Sequence, residues 1–422
     1  SIFKIASKSK VALLIKFAGI ISSLVLSVLI SKELGLVTLG QYNFFNQTIS
    51  IISVVSIFGF NSQISKRFPI LLKRKIYLAL NSYLVNILFT VFIFSLFFGI
   101  ILTLLLLNNP VFNFDKSSIL LIGINIVPSA LTFICSFILI AFGKIWQSAL
   151  TKQGIVQIIA LVFTVILIKV NALSLDLILI IIFGLRLTLA IWMIYYINSI
   201  VNLSFNKLNF PLIKKIVFAS VPLAVTSIIT IVQNNWETFV IPINFSDLEY
   251  AYYSTGSRIV FILTIFLTIL NSTILKKIST RIHSSFSNHS DTQKILTIHS
   301  RRLTLLGVLF LTGMIIFGKY ILLIWGIEND IAYYTLLILS FGQLINLTTA
   351  GAAQLLVISG NTIGLMKIKL IEFIVLILST IIFIKTIGLL GLALSSIISS
   401  MISNFTMVFY GNRKTNLKAL PF

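Results

Sequence analysis

Between Ile87 and Asn108 the chain reads ILFTVFIFSLFFGIILTLLLLN, with no charged residue. As a helix rising about 1.5 Å per residue, such a run crosses the roughly 30 Å hydrocarbon core of a bilayer. Similar runs recur along the whole sequence. In hydrocarbon every backbone amide and carbonyl must find a protein partner, which leaves helices or closed barrels. A transmembrane barrel would show alternating segments of about 10 residues, and none is present. The expected fold class is therefore an all-α polytopic membrane protein. Composition agrees, with 58% hydrophobic residues against 10% charged. A water-facing exterior cannot cover that much apolar surface.

About twelve segments reach spanning length. They lie at 11–31, 41–64, 77–107, 118–141, 152–170 and 176–200, then at 213–243, 250–276, 302–325, 331–358, 364–385 and 387–410. The chain carries 32 Lys and Arg against 10 Asp and Glu. On a soluble protein that excess would point to nucleic acid. Here the basic residues collect in alternate loops, as cytoplasmic loops do because they resist translocation. Lys66, Arg67, Lys73, Arg74 and Lys75 fall on one side, with Lys276, Lys277 and Arg281. Glu33, Asp115, Asp176, Asp247, Glu249, Glu328 and Asp330 fall on the other, with only Lys32, Lys116, Lys169, Lys319 and Lys385 among the bases. Both termini are expected to be cytoplasmic, with no nucleic-acid partner. The basic flank SIFKIASKSK precedes a long apolar run without a small-residue cleavage site, which reads as a retained helix.

The chain also looks duplicated. LGLVTLGQYNFFNQTIS follows the first span and FSDLEYAYYSTGSRI follows the seventh. Sliding Tyr42 onto Tyr253 pairs Gly40 with Ala251 and Lys66 with Lys277. Six spans per half start both halves from the cytoplasm, so the expected lobes, 1–206 and 207–422, are parallel repeats about an axis along the membrane normal. The polar loop 201–211 joins them.

Polar residues within the spans carry the functional signal, because lipid penalises them. Lys16, Gly19, Ser23 and Ser27 share one helical face, as do Asn43, Asn46, Ser50 and Ser53, and Gln343, Asn346, Ala350 and Gln354. Such faces serve either close helix packing or a hydrated lumen. Five ionisable groups lie inside spans: Lys16, Arg186, Glu237, Arg258 and Glu372. Lys16 is near enough to the cytoplasmic end to snorkel. Glu372, close to Lys367 and Lys369, reads as half of an interfacial ion pair. Arg186 and Arg258 keep their charge and need water, a carboxylate or an anionic ligand. Positive groups outnumber negative ones, which favours an anion.

Pro128 and Pro222 are expected to kink the fourth and seventh helices. Cys135 reads as a packing residue. His283, His289 and His299 are assigned to one polar loop without metal-ligand spacing. No nucleophile constellation, phosphate loop or pair of acids near a membrane face marks an enzyme.

ISKELGLVTLGQYNFF after the first span and WETFVIPINFSDLEYAYYSTGSRI after the seventh, with twelve spans and a basic loop after the eighth, resemble a family. It is that of the polysaccharide (Wzx-type) flippases of the multidrug/oligosaccharidyl-lipid/polysaccharide exporter superfamily. Glu237, Ala251, Tyr253 and Ser254 occupy its seventh-to-eighth helix motif, with Glu where Asp is commoner and Ala251 where Gly is. The resemblance implies two six-helix lobes rocking about a cationic cavity in the bacterial inner membrane. It also implies alternating-access translocation of an undecaprenyl-pyrophosphate-linked oligosaccharide to the outer leaflet. The span count is lower than that of peptidoglycan-precursor flippases, which favours an O-antigen or capsule repeat unit.

On that reading Lys16, Arg186 and Arg258 meet the pyrophosphate, and Asn43, Gln343, Asn346 and Gln354 meet the sugars. Glu237 and Glu372 gate the cavity or couple it to Na⁺ or H⁺, with no other cofactor and no metal. A Glu237–Arg258 contact would hold the outer mouth. The expected partners are the lipid-linked glycan, the bilayer, and a polysaccharide polymerase with its chain-length machinery. A drug/cation antiporter of the same superfamily, binding its cation at Glu237, is one alternative. A non-transporting scaffold for glycan assembly is the other.

Overall fold

A computed structural model describes the chain apart from residues 1, 74–76, 109–113, 151–153, 204–207, 283–288, 359–360, 418–419 and 422. Helices account for every expected span, and no strand occurs among the described residues. They are α1 (Ile2–Ile57), α2 (Phe60–Lys73), α3 (Tyr77–Asn108), α4 (Lys116–Ala141), α5 (Ile145–Ala149), α6 (Ile155–Lys169), α7 (Leu175–Val201), α8 (Phe210–Asn234) and α9 (Trp236–Asn244). There follow α10 (Asp247–Ile282), α11 (His289–Leu323), α12 (Asp330–Thr348), α13 (Ala352–Ile358), α14 (Thr362–Ile387) and α15 (Leu389–Thr415). Among the described residues, nine helices are long and apolar enough to cross a membrane. Leu104, Leu105, Ile191, Leu309, Ile316 and Phe409 leave their side chains exposed, as lipid-facing residues do. The protein is an all-α multi-pass membrane protein.

The joins differ from those expected. The first two spans are separate helical stretches within α1, divided at Gly35, whose non-helical φ of 87° and ψ of 168° suit a residue without Cβ. The second span breaks at Phe58 and Gly59, both with positive φ. A Cβ on Gly59 would lie 2.8 Å from the backbone nitrogen of Ala224, so only glycine lets the turn touch α8 there. Pro222 deprives that stretch of α8 of one backbone donor. Beside it, Nε2 of Gln63 donates to the carbonyl of Ala219 at 3.0 Å. The helical assignment continues through both Pro128 and Pro222. The seventh span breaks instead at Asn235 (φ −133°, ψ 33°), between α8 and α9. The tenth divides into α12 and α13 around Thr349–Gly351.

Two compact units result, Ser1–Ile243 and Asn244–Phe422. The first includes α8, which packs on α1, α2 and α3. Packing thus divides the chain at 243, whereas the sequence repeat divides it at 206. The core of this unit gathers Ile57, Phe60, Ile64, Leu84, Ile138 and Met193, with Cys135 as a buried packing residue. Gly99 and Gly123 bring α3 and α4 close, since a Cβ on Gly99 would sit 2.8 Å from the Gly123 carbonyl oxygen. The connector to α8 is tied to α3 on both sides of 204–207. Nδ2 of Asn81 donates to the Asn202 carbonyl at 2.5 Å, and the Asn209 amide donates to Oδ1 of Asn86 at 2.9 Å. Oδ1 of Asn209 then caps α8 at Leu212.

In the second unit Gly388 (φ 65°) turns α14 into α15. Leu296, Leu356, Met407 and Leu417 form a core at the end where α11 begins. Nε of Arg301 donates to the Pro421 carbonyl at 2.7 Å. His299 is not in a loop: α11 begins at His289, and His299 is buried on it. His283 lies outside the described residues. Tyr42 and Tyr253, paired in the repeat, are each buried in their own unit.

Candidate functional site

Three polar clusters lie within the spans, two in the first unit and one in the second. The first centres on Arg186 of α7. Its Nη2 donates to Oδ1 of Asn46 at 3.3 Å, and its Nη1 to Oδ1 of Asn125 at 3.5 Å. Asn125 is fully buried on α4 and gives its own amide to the Leu121 carbonyl at 2.9 Å. Asn46 gives its amide to the Tyr42 carbonyl at 3.1 Å. Both carboxamides are therefore turned so that their oxygens face the guanidinium.

The depth of this cluster follows from the helices. α4 and α7 start at one end of the unit, where Ser117 and Ser118 both donate to the Asp176 carboxylate. At about 1.5 Å per residue, Arg186 lies about 16 Å along α7 and Asn125 about 14 Å along α4. Asn46 lies about 16 Å beyond the Gly35 bend on the same rise. That is close to the middle of a bilayer roughly 30 Å thick. Among the described residues no carboxylate pairs with Arg186. Contacts of 3.3 and 3.5 Å are also long beside the roughly 2.7–2.9 Å of charge-assisted hydrogen bonds. The amides orient the cation without neutralising it.

The second cluster forms where α8 gives way to α9. Nε2 of Gln47 donates to Oδ1 of Asn235 at 2.7 Å and to Oε1 of Glu237 at 3.1 Å. Asn235 anchors the break through its own amide, which reaches the Ile231 carbonyl at 2.7 Å. Glu237 is buried in the first turn of α9, where the helix dipole favours a negative charge.

The third cluster belongs to the second unit. Nδ2 of Asn404 on α15 donates to Oδ1 of Asn346 on α12 at 2.5 Å. Nδ2 of Asn346 donates to Oε1 of Gln343 at 3.2 Å. Nε2 of Gln343 donates to Oγ1 of Thr264 on α10 at 3.3 Å. A one-way chain of amides thus joins three helices.

The remaining expected residues stand apart from these clusters. Lys16 is exposed on α1, and Asn43 is fully buried one turn before Asn46. Arg258 is half-buried on α10, in the second unit, whereas Glu237 belongs to the first. Nζ of Lys369 meets Oε2 of Glu372 at 2.6 Å within α14. The side chain of Gln354 lies outside the described residues. Sequence reasoning placed Asn46 on a polar face but not in the site, and missed Gln47, Asn125, Asn235, Thr264 and Asn404. Asn125 was visible as a lone amide in the apolar stretch LLIGINIV.

No protein-family model and no curated protein matches the sequence. Solved structures do. An inward-facing multidrug resistance MATE family transporter of the MOP superfamily superposes with a TM-score of 0.65 at 12% identity, covering 96% of this chain and 98% of that one. The lipid II flippase MurJ, in an inward closed conformation, gives 0.67 at 19% identity, covering 94% of this chain and 87% of that one. The Vibrio cholerae MATE transporter VcmN gives 0.59 at 12% identity, covering 97% of each. The chain thus has the fold of membrane transporters. More particularly, it is the fold shared by MATE transporters of the MOP superfamily and the lipid II flippase MurJ.

Proposed function

We propose that the protein is a flippase that carries a lipid-linked oligosaccharide across the bacterial inner membrane by alternating access, with both termini in the cytoplasm. The observation that carries this reading is Arg186, a cation near mid-bilayer whose hydrogen-bond partners are neutral amides. A fixed positive charge there is costly unless something anionic visits it. The diphosphate of an undecaprenyl-pyrophosphate-linked glycan has that charge and the oxygen geometry a guanidinium fork matches. The likeness to a lipid II flippase supports a lipid-linked substrate. The number of expected spans favours an O-antigen or capsule repeat unit, and a polysaccharide polymerase would receive it. Lys16 and Arg258 are the further phosphate candidates.

The test uses proteoliposomes loaded with a fluorescent undecaprenyl-pyrophosphate-linked glycan, read by a membrane-impermeant quencher. Arg186→Gln, correctly inserted, should slow translocation at least about tenfold, the loss of one charged hydrogen-bonding group. Unchanged translocation would overturn the reading.

A second reading has its own support. Glu237 is a buried carboxylate whose hydrogen-bond donor, Gln47, is neutral. That suits a Na⁺- or H⁺-coupled antiporter of cationic drugs, and one of the similar structures is a multidrug resistance transporter. Drug efflux lost in Glu237→Gln but retained in Arg186→Gln would favour it.

A further inference from the structure

The amide chain of the second unit has more hydrogen-bonding capacity than it uses. Asn404 gives one N–H to Asn346, Asn346 one to Gln343, and Gln343 one to Thr264. Each primary amide carries two such protons, so each keeps a second donor. At the head of the chain Oδ1 of Asn404 accepts no hydrogen bond among the described residues and is accessible rather than sealed. Asn346 and Asn404 are half-buried.

These groups lie inside the spans, towards the end where α12 finishes. α10, α12 and α15 run in the same direction, and Gln343, Asn404 and Thr264 lie about 20, 22 and 26 Å from the starts of their helices. Open donors and acceptors inside a span are costly against lipid and are tolerated where they meet water or a ligand. Helix packing does not require them. The approach of α12 to α15 is already set by Gly342, where a Cβ would lie 2.7 Å from Cγ1 of Ile397.

The unused capacity also selects a chemistry. Several donors beside one acceptor match a group that both accepts and donates, which is a hydroxyl. A phosphate has no proton for Asn404 Oδ1, and a cation would face the amide hydrogens. Accepting the flippase reading above, we propose that Gln343, Asn346 and Asn404 form a recognition site for the uncharged sugar hydroxyls of the substrate. In this role they select for glycan over bare lipid carrier.

The test measures binding by the intact protein in nanodiscs. The probes are undecaprenyl pyrophosphate and the same lipid bearing one N-acetylhexosamine. Wild-type protein should prefer the glycosylated lipid by about tenfold, the worth of one or two hydrogen bonds. Asn404→Leu and Asn346→Leu should each bring that preference to within about twofold, with bare-lipid affinity unchanged. Asn404→Ser, which keeps a hydrogen-bonding head, should retain part of it and guards against misfolding in the leucine variants. A wild-type protein without preference overturns the proposal, as does a preference intact in both leucine variants. Arg186→Gln should weaken both lipids equally. If it changes neither, the flippase reading fails while the sugar preference can still be scored.

Discussion

Nε2 of Gln47 lies 3.1 Å from Oε1 of Glu237. The same nitrogen reaches Oδ1 of Asn235 at 2.7 Å, so one neutral amide fastens α1 to the break between α8 and α9. Gln47→Leu would leave the buried carboxylate without that donor. The expected cost is about 1–3 kcal/mol, seen as a lower Tm of the purified protein. In the Gln47→Leu background, Glu237→Gln should recover part of the loss, because a neutral amide is cheaper to bury than a carboxylate. A double-mutant cycle should therefore depart from additivity by at least about 0.5 kcal/mol. Strict additivity would show that the contact is not energetically real.

Arg186 gives a prediction about shape as well as charge. A lysine keeps the charge but cannot reach two carboxamide oxygens from one planar group. Arg186→Lys should therefore slow translocation of a pyrophosphate-linked glycan by about tenfold, and Arg186→Gln by more. Asn46→Leu and Asn125→Leu remove the orienting oxygens while leaving the cation, so each should cost less than either change at Arg186. Rates in proteoliposomes, with insertion checked by chromatography, decide the order.

What could be read from the sequence follows from what periodicity encodes. Length and apolarity placed the spans because a bilayer sets a fixed minimum. Breaks inside a span were not legible: the turn at Phe58 and Gly59 interrupts an apolar run that reads as one helix. His299 was assigned to the polar loop ahead of the apolar run at 302–325, yet α11 begins earlier, at His289. Pro222, whose missing donor is the stronger local signal, was expected to kink the seventh span; the break at Asn235 had no such signal. Helical spacing puts Asn43 and Asn46 on one face. It cannot say which face of which helix they meet, so the Arg186–Asn46 and Asn346–Asn404 contacts required the fold.

Two glycines with nearly equal backbone angles separate strain from crowding. Gly59 and Gly143 have φ of 73° and 74°. A Cβ at Gly143 meets nothing within 4 Å, whereas one at Gly59 presses on the backbone of Leu223 and Ala224. Gly143→Ala should cost only the left-handed backbone penalty, about 1–2 kcal/mol. Gly59→Ala adds the displacement of α8 and should lower Tm clearly further. Equal losses would show that α8 yields to the turn without cost.

The two acids expected to gate or couple should behave differently. Glu372 is already compensated by Lys369, one turn away at 2.6 Å, and the lysine's side chain is 37% exposed. Removing the carboxylate leaves a lysine that can extend towards water. Glu372→Gln should therefore leave any dependence of transport on an imposed Na⁺ or pH gradient unchanged. Glu237 has Gln47 as its donor, and an amide can turn its oxygen towards a bound cation where a lysine cannot. Glu237→Gln should abolish the same gradient dependence in the same proteoliposomes. If instead Glu372→Gln removes the dependence and Glu237→Gln does not, the Lys369 pair is the coupling element and Glu237 only braces the break between α8 and α9.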